Sequence, residues 1–177
     1  MRDVAAVADS GPLIFLARID LLNLLPDLFD EIFIPPEVRD EVMVRGRNRP
    51  GAYAVSQAKW LTVQAPVPQL VKPLSILVDA GEAEAIALAQ TTEDCTVLLD
   101  DLRARKVAQR LDIKKIGTVG LLLRAKKRGL LESINWIFDI SLKIFLKKTK
   151  KITKTKNWDN AIHFALSPYS PPVMPSV

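Results

Sequence analysis

Three aspartates stand where the chain leaves an apolar segment. Asp9 follows residues 4–8 in the stretch AAVADSGPLIFLA, and Asp100 and Asp101 follow residues 96–99. Burying an unpaired charge is costly, so each carboxylate must be neutralised or lie at a wet edge. Ligands bind at the carboxyl ends of the strands in an open parallel sheet. If the two segments are neighbouring strands, their acids meet at that edge.

Helix capping is the alternative explanation, because aspartate is a favoured N-cap residue. A cap explains Asp101 as well as a functional role does. Asp100 has no such explanation, and Asp9 precedes Pro12 by too many residues to cap a helix that begins near that proline. The positions therefore favour Asp9 and Asp100 as functional carboxylates and leave Asp101 open.

Glu41 lies in the segment PPEVRDEVM, which we expect to be helical. At helical spacing Glu41 lies on the same side as Val38 and Val42, whereas Asp40 projects away from them. This spacing predicts that Glu41 faces the core side of the helix. An ordinary surface acid is the alternative that the spacing leaves open.

Glu82 lies in the segment DAGEAEAIALA, which predicts a strong helix. Glu82 shares a face with Ala85, Ile86 and Ala89, and small residues on that face let the helix approach a sheet closely. The spacing from Asp79 to Glu82 also resembles a capping box, with aspartate in place of serine or threonine. Both roles stay open for Glu82.

Together these positions predict one cavity lined by Asp9, Glu41, Glu82 and Asp100, with or without Asp101. Such a cluster cannot stay fully ionised away from water, so its pKa values rise or a cation compensates. Hard divalent ions choose oxygen ligands, and Mg²⁺ or Mn²⁺ held by few carboxylates keeps positions open for water and phosphate. The chemistry that follows is metal-assisted hydrolysis of a phosphodiester.

The composition excludes several other chemistries. His163 and Cys95, the single histidine and the single cysteine, are too few for a zinc site of the usual Cys/His type. One cysteine allows no internal disulfide, which fits a reducing cytoplasm. No apolar run reaches about 20 residues, which argues against a membrane span. Asp3 and Asp9 within the apolar N-terminus argue against a signal peptide.

The alternation of apolar and helix-period segments predicts an α/β fold with a parallel sheet covered on both faces. The expected strands are residues 4–8, 31–34, 61–64, 96–99 and 114–116. The expected helices are residues 12–24, 36–44, 53–59, 81–90, 101–111 and 119–128. Pro66, Pro68 and Pro73 predict a long irregular connection before the fourth helix.

Four segments, in this order, resemble the PIN-domain family, and in particular its small single-domain members that include VapC-type toxins. They are VADSGPLIFLARIDLLNLL, IFIPPEVRDEV, DAGEAEAIALA and VLLDDLRARKVA, within about residues 4–128. The last two are similar to a prokaryotic subgroup of small PIN-like proteins. The resemblance implies a three-layer α/β/α sandwich with a mainly parallel sheet. It also implies metal-dependent endoribonuclease activity, RNA as substrate, a cognate antitoxin protein as partner and, often, a homodimer.

The resemblance assigns a role to each acid. The family's first acid falls on Asp9, its acid on the helix after the second strand on Glu41, its third on Glu82 and its fourth on Asp100. These four are the expected catalytic residues. The expected ligands of Mg²⁺ or Mn²⁺ are Asp9, Glu82, Asp100 and Asp101. The third acid is more often aspartate in the family, and Glu82 is one methylene longer.

Three further residues are expected to bind substrate. Ser10 matches the hydroxyl neighbour of the family's first acid, and Arg103 and Arg105 are within reach of a phosphate, although a surface role explains each arginine equally well. We expect residues 1–130 to form the PIN-like domain. Residues 131–177 depart from the family and read as a basic extension, partly helical and then disordered, which could add nonspecific affinity for RNA.

A catalytically inactive PIN-like module that binds RNA or protein is the alternative function. Glu82 in place of aspartate favours it, as does the near-neutral body of the chain, whose net charge of +5 lies mostly after residue 128. A nuclease needs Mg²⁺ or Mn²⁺ and loses activity when Asp9 is replaced by asparagine. A binding module holds its partner equally well in a chelator.

Overall fold

The computed structural model describes residues 3–48 and 50–133, and a five-stranded parallel sheet organises this part of the chain. Helices flank the sheet, so the predicted α/β/α class is confirmed. The sheet order is β3-β2-β1-β4-β5, and every neighbouring pair is parallel. The strands are β1 (Asp3–Ala8), β2 (Phe29–Ile34), β3 (Leu61–Val63), β4 (Cys95–Leu98) and β5 (Lys114–Ile116).

Eight α-helices alternate with these strands in the described part of the chain. A π-helical segment, Asp40–Arg45, continues directly from the third of them. The helices are α1 (Ser10–Arg18), α2 (Leu24–Leu28), α3 (Pro36–Arg39), α4 (Ala52–Ser56), α5 (Pro68–Leu74), α6 (Ala80–Thr91), α7 (Leu102–Arg110) and α8 (Thr118–Lys127).

The strand order reverses between β1 and β4. The chain builds outward from β1 through β2 to β3, then returns to the other side of β1 to form β4 and β5. Ala8 of β1 pairs with Leu98 of β4, and the Asp9 N–H donates to the Leu98 carbonyl at 3.2 Å. The segments that carry Asp9 and Asp100 therefore leave the sheet side by side, where parallel sheets bind ligands.

Small side chains let α6 pack closely on the sheet, as its sequence predicts. Its buried positions are mostly alanine, and they join residues of β1, β4 and α7 in one apolar cluster. The first turn of this helix is buried as well, since Gly81 and Ala83 are both buried residues. This packing brings the acidic N-terminus of α6 to the same edge of the sheet as Asp9.

Two helical predictions were wrong in the segments beside the site. α1 begins at Ser10, two residues before Pro12, because N–H groups in a first helical turn lack intrahelical partners and proline is tolerated there. The predicted helix over 36–44 is α-helical only to Arg39 and continues as the π-helical segment. Wider π-turns of this kind often occur at functional sites.

Two other segments also differ from the prediction. The connection that follows Pro66 contains α5, which starts at Pro68, a position that suits proline because its fixed φ matches the helix. α1 ends at Arg18, and the separate helix α2 leads into β2. The predictions for residues 134–177, including the extension's partly helical and disordered character, lie outside the described residues.

Glu84 joins α6 to α3 through one hydrogen bond. Its Oε2 accepts from the Glu37 N–H at 2.9 Å, so a side chain of α6 satisfies a free donor in the first turn of α3. Glu84 is half-buried at this contact. The bond fixes the start of the helical segment that carries Glu41.

Replacing Glu84 by methionine is expected to lower the free energy of unfolding by about 1–2 kcal/mol, because the Glu37 N–H loses its acceptor. Glu84→Gln keeps an acceptor at the same position and is the matched control, expected to stay close to the wild type. Urea denaturation measures both. Equal losses in the two variants would contradict a role for the hydrogen bond.

Candidate active site

Asp9 is a buried N-cap, so the prediction that it cannot cap α1 was wrong. Its side chain is 8% exposed, and its Oδ2 accepts from the Gly11 N–H at 3.4 Å. The prediction failed because it placed the helix start at Pro12, whereas the helix begins at Ser10. Capping uses only one carboxylate oxygen here, and Oδ1 faces the neighbouring helix.

Asp9 and Glu41 border one small space beside Gly81. A Cβ atom on Gly81 would lie 3.5 Å from Asp9 Oδ1 and 3.4 Å from Glu41 Oε2. Val38 and Val42, which flank Glu41, are buried, as the predicted stripe requires. The missing side chain at Gly81 therefore leaves room between two carboxylates that come from different elements.

Asp100 lies on the other side of Asp9. A Cβ atom on Gly11 would lie 3.7 Å from Asp9 Oδ2 and 3.9 Å from Asp100 Oδ2. Both oxygens of Asp100 accept hydrogen bonds from Thr118, Oδ1 from its N–H at 2.7 Å and Oδ2 from its hydroxyl at 2.6 Å. Thr118 therefore fixes the orientation of Asp100 at the edge of the sheet.

Sequence reasoning missed Thr118. It is the first residue of α8 and is 6% exposed. A threonine directly before a predicted helix has a hydroxyl and an N–H group that need acceptors, but this is only a weak local signal of a functional role. Its partner lies eighteen residues earlier in the chain, and only the neighbouring positions of β4 and β5 bring the two together.

Glu82 and Asp101 both serve as helix caps. Glu82 Oε2 accepts from the Asp79 N–H at 3.2 Å and completes a capping box at the start of α6. Asp101 Oδ1 accepts from the N–H groups of Arg103 and Ala104 at 2.7 and 3.0 Å. The capping alternatives for these two acids are thus both present in the structure, and their roles as metal ligands stay predictions.

The residues expected to bind substrate occupy different environments. Ser10 is buried at the start of α1, whereas Arg103 is exposed on α7. Arg105 is half-buried. A Cβ atom built on Gly117 would lie 3.3 Å from Arg105 Nη1 and 3.2 Å from Asp100 Oδ1, so the guanidinium and the carboxylate flank the same glycine. Of the two arginines, Arg105 is therefore the one beside the acids.

Two acids at this edge of the sheet have raised pKa values, chiefly because they are buried. Burial raises the pKa of Asp9 to about 6, with the negative charges of Glu41 and Asp100 acting in the same direction, while the N–H groups of Ser10 and Gly11 oppose the shift. Burial also raises the pKa of Glu82 to about 7, and the charge of Asp101 adds to it. Burial thus opposes the ionisation of both Asp9 and Glu82, and the neighbouring negative charges add to that effect.

The donor chemistry of this edge fits a hard divalent cation. Its acids offer only oxygen ligands, and a cation would offset both the burial of the Asp9 charge, which is the main cause of its raised pKa, and the smaller repulsion from Glu41 and Asp100. Across residues 3–48 and 50–133, however, no three Asp, Glu, His or Cys side chains already converge closely enough to hold a metal ion. Asp9 and Glu41 border one space, whereas Glu82 and Asp101 are engaged as caps.

The raised pKa of Asp9 predicts that the metal-free protein loses stability as the pH rises. The folded protein binds the Asp9 proton up to about pH 6, whereas the unfolded chain releases it near pH 4, so the Asp9 contribution is complete below pH 4 and lost as the pH passes 6. A shift of about two units corresponds to roughly 3 kcal/mol. Glu82 shifts in the same direction.

Urea denaturation in a chelator, from pH 4.5 to 7.5, measures this loss. Asp9→Asn cannot ionise, so its stability is expected to exceed that of the wild type by an amount that grows with pH over this range. Asp27→Asn, at an exposed acid of α2, is the matched control. Parallel profiles for wild type and Asp9→Asn would contradict the raised pKa.

The fold is that of a PIN domain. A family model described as a PIN domain, DUF3368, matches residues 5–148, which is most of the chain. The chain therefore belongs to the PIN-domain family, as its four motifs predict. PIN domains are generally nucleases and typically use divalent metals. No curated protein matches the chain.

The matched region extends beyond the residues that carried the sequence resemblance. It continues from residue 128 to residue 148, into the part expected to be a separate extension. The boundary at residue 130 stays a prediction. Among the described helices, none combines the length and the apolar character needed to cross a membrane.

Proposed function

We propose that the chain is a metal-dependent endoribonuclease that hydrolyses RNA phosphodiesters at the acidic edge of its sheet. The observation that carries this proposal is the shared space of Asp9 and Glu41 beside Gly81, next to Asp100. Carboxylates from three separate elements crowd together although burial and repulsion disfavour it. Asp9 caps α1 and Asp100 accepts from Thr118, but neither bond requires the acids to lie beside one another, so a bound cation is the simplest reason for their proximity.

Asp9, Glu41 and Asp100 are the residues that would hold Mg²⁺ or Mn²⁺, with Glu82 and Asp101 joining them if their capping bonds open. When bound, such an ion polarises a phosphodiester and lowers the pKa of a water molecule. Asp9 is oriented by the N–H of Gly11, and Asp100 by Thr118. These bonds hold both carboxylates in fixed directions before any substrate arrives, which reduces the reorganisation that binding requires.

We further propose that the protein acts as the toxin-like component of a toxin–antitoxin pair. The support is the resemblance of its four motifs to small single-domain PIN proteins that include VapC-type toxins, together with membership of the family. A cognate antitoxin protein is then the expected partner, and a homodimer the expected assembly. Co-purification of the chain with the product of a neighbouring gene, and suppression of its RNA cleavage by that product, would test this role.

Cleavage of a panel of structured RNAs tests the proposed reaction. The wild-type chain is incubated with each RNA in Mg²⁺, in Mn²⁺ or in chelator, and products are separated on denaturing gels. We expect cleavage with either metal and none in chelator. Cleavage that persists in chelator, or that is absent with both metals, would contradict the proposal.

An inactive module that binds RNA or protein is the second candidate. It is favoured by Glu82, which is tied to the Asp79 N–H, and by the lack of three convergent ligands among the described residues. This alternative predicts that RNA is held with the same affinity in chelator and in metal, without cleavage. Measuring binding and cleavage on the same RNAs separates the two functions.

A further inference from the structure

Arg105 and Lys115 bring two positive charges together next to the acidic edge. Arg105 lies in the first turn of α7, and Lys115 lies on β5, where it pairs with Val97 of β4. Both side chains are half-buried. Burial lowers the pKa of Lys115, and the charge of Arg105 lowers it further, which means that the two cations are close enough to repel each other.

Arg105 reaches the edge beside Asp100 because Gly117 has no side chain. A Cβ atom at Gly117 would lie 3.3 Å from Arg105 Nη1, 3.2 Å from Asp100 Oδ1 and 3.3 Å from the Leu99 carbonyl. No ion pair or hydrogen bond joins Asp100 to the guanidinium, and both Asp100 oxygens accept from Thr118 instead. The guanidinium therefore keeps its donors available a few ångströms from an acid of the candidate site.

Neither side chain has a partner within residues 3–48 and 50–133: no side-chain hydrogen bond or ion pair involves Arg105 or Lys115 there. Lys114, the preceding residue on β5, pairs instead with Asp94. Two half-buried like charges without a counter-ion are unfavourable. An anion bound between them would remove that cost and gain charge-assisted hydrogen bonds from both side chains.

We propose that Arg105 and Lys115 together bind one backbone phosphate of an RNA strand that lies along the acidic edge. A guanidinium and an ammonium offer several donors to the oxygens of one phosphate. A phosphate contact of this kind fixes the register of a strand without reading its sequence. This proposal rests on the proposed function, because it places the bound phosphate next to the one that the carboxylates would attack.

RNA binding in chelator tests the pair without any cleavage. The affinity of a labelled single-stranded RNA is measured by fluorescence anisotropy over a series of salt concentrations, for wild type, Arg105→Gln, Lys115→Gln and the double variant. Lys114→Gln, on the same strand, and Lys106→Gln, on the same helix, are the matched controls. Thermal unfolding of each variant verifies that it is folded. Arg105→Lys serves as a second, conservative change at the same position.

We expect both test variants to bind several-fold more weakly than the controls. In the double variant the slope of log affinity against log salt should fall by about 0.7, the value for one phosphate contact on a single strand. Each single variant should lose only part of that slope, because the remaining cation still contacts the same phosphate. Arg105→Lys keeps the charge and should retain most of the slope.

Equal losses in the test and control variants would overturn the proposal, since a diffuse basic surface would then explain binding. A slope loss of roughly twice the one-phosphate value in the double variant would overturn it as well, because it would indicate two separate phosphates. Failure of the wild type to bind RNA in chelator would also refute it, while leaving the cleavage panel to decide the nuclease. The expected binding pattern without cleavage would keep the phosphate site and reject the nuclease.

Discussion

Replacing Asp9 by asparagine is expected to abolish metal-dependent RNA cleavage while making the metal-free protein more stable at neutral pH. The fold should survive, because asparagine caps a helix as well as aspartate does and can still accept from the Gly11 N–H. The cost of burying the charge disappears with the charge itself. A gain in stability with a loss of activity is the expected signature of a residue kept for function.

The loss of activity should be at least about 100-fold, because removing a charged ligand weakens a metal contribution of several kcal/mol and each 1.36 kcal/mol is a factor of ten in rate. Initial cleavage rates in saturating Mn²⁺ measure it. Asp27→Asn makes the same chemical change at an exposed acid and should cleave like the wild type. Wild-type rates in Asp9→Asn would refute the role assigned to Asp9.

Gly81→Ala is expected to weaken metal binding about 10- to 100-fold, the range seen when groups around a metal site are changed. The added methyl group would lie 3.4 Å from Glu41 Oε2 and 3.5 Å from Asp9 Oδ1, which fills the space between the carboxylates without a severe clash. Alanine favours a helix over glycine by about 0.5–1 kcal/mol, so α6 should still form.

Calorimetric titration with Mn²⁺ measures the affinity, and thermal unfolding in chelator verifies the fold. Ala80→Gly is the matched control, since it changes helix propensity at the neighbouring exposed residue and leaves the space between the carboxylates open. It should lose stability and keep metal affinity. If Gly81→Ala bound Mn²⁺ like the wild type, the ion would have to lie elsewhere on the edge.

Much of the architecture could be predicted from sequence because the strands are short apolar runs between helix-period segments. Residues 96–99 and 114–116 were expected as strands, and the structure has β4 at Cys95–Leu98 and β5 at Lys114–Ile116. Acids that directly follow such runs must emerge at the carboxyl edge of a parallel sheet, so Asp9 and Asp100 could be grouped from the amino-acid sequence alone. The position of each acid at the end of a strand is enough to predict that Asp9 and Asp100 lie close together.

Contacts between distant segments could not be predicted in the same way. The bond from Thr118 to Asp100 and the bond from Glu37 to Glu84 depend on which elements are neighbours, which local spacing does not encode. The helix start at Ser10 follows from a local cap by Asp9 that the prediction did not recognise, and helical spacing in a sequence does not distinguish the π-helical turn at Glu41 from an α-helix. The sequence did not single out Lys115, because the positive charge of Arg105 that lies near it belongs to a different element of the fold.

The most direct test of a metal-dependent nuclease at this edge measures Mn²⁺ binding and RNA cleavage on one preparation each of wild type and Asp9→Asn. Calorimetry gives the affinity, and the same samples are then assayed on RNA with Mn²⁺ and with chelator. We expect the wild type to bind Mn²⁺ and to cleave RNA only in its presence, and Asp9→Asn to lose both properties while remaining folded. A wild type that binds no Mn²⁺ and cleaves no RNA, or an Asp9→Asn variant that retains both properties, would contradict this prediction.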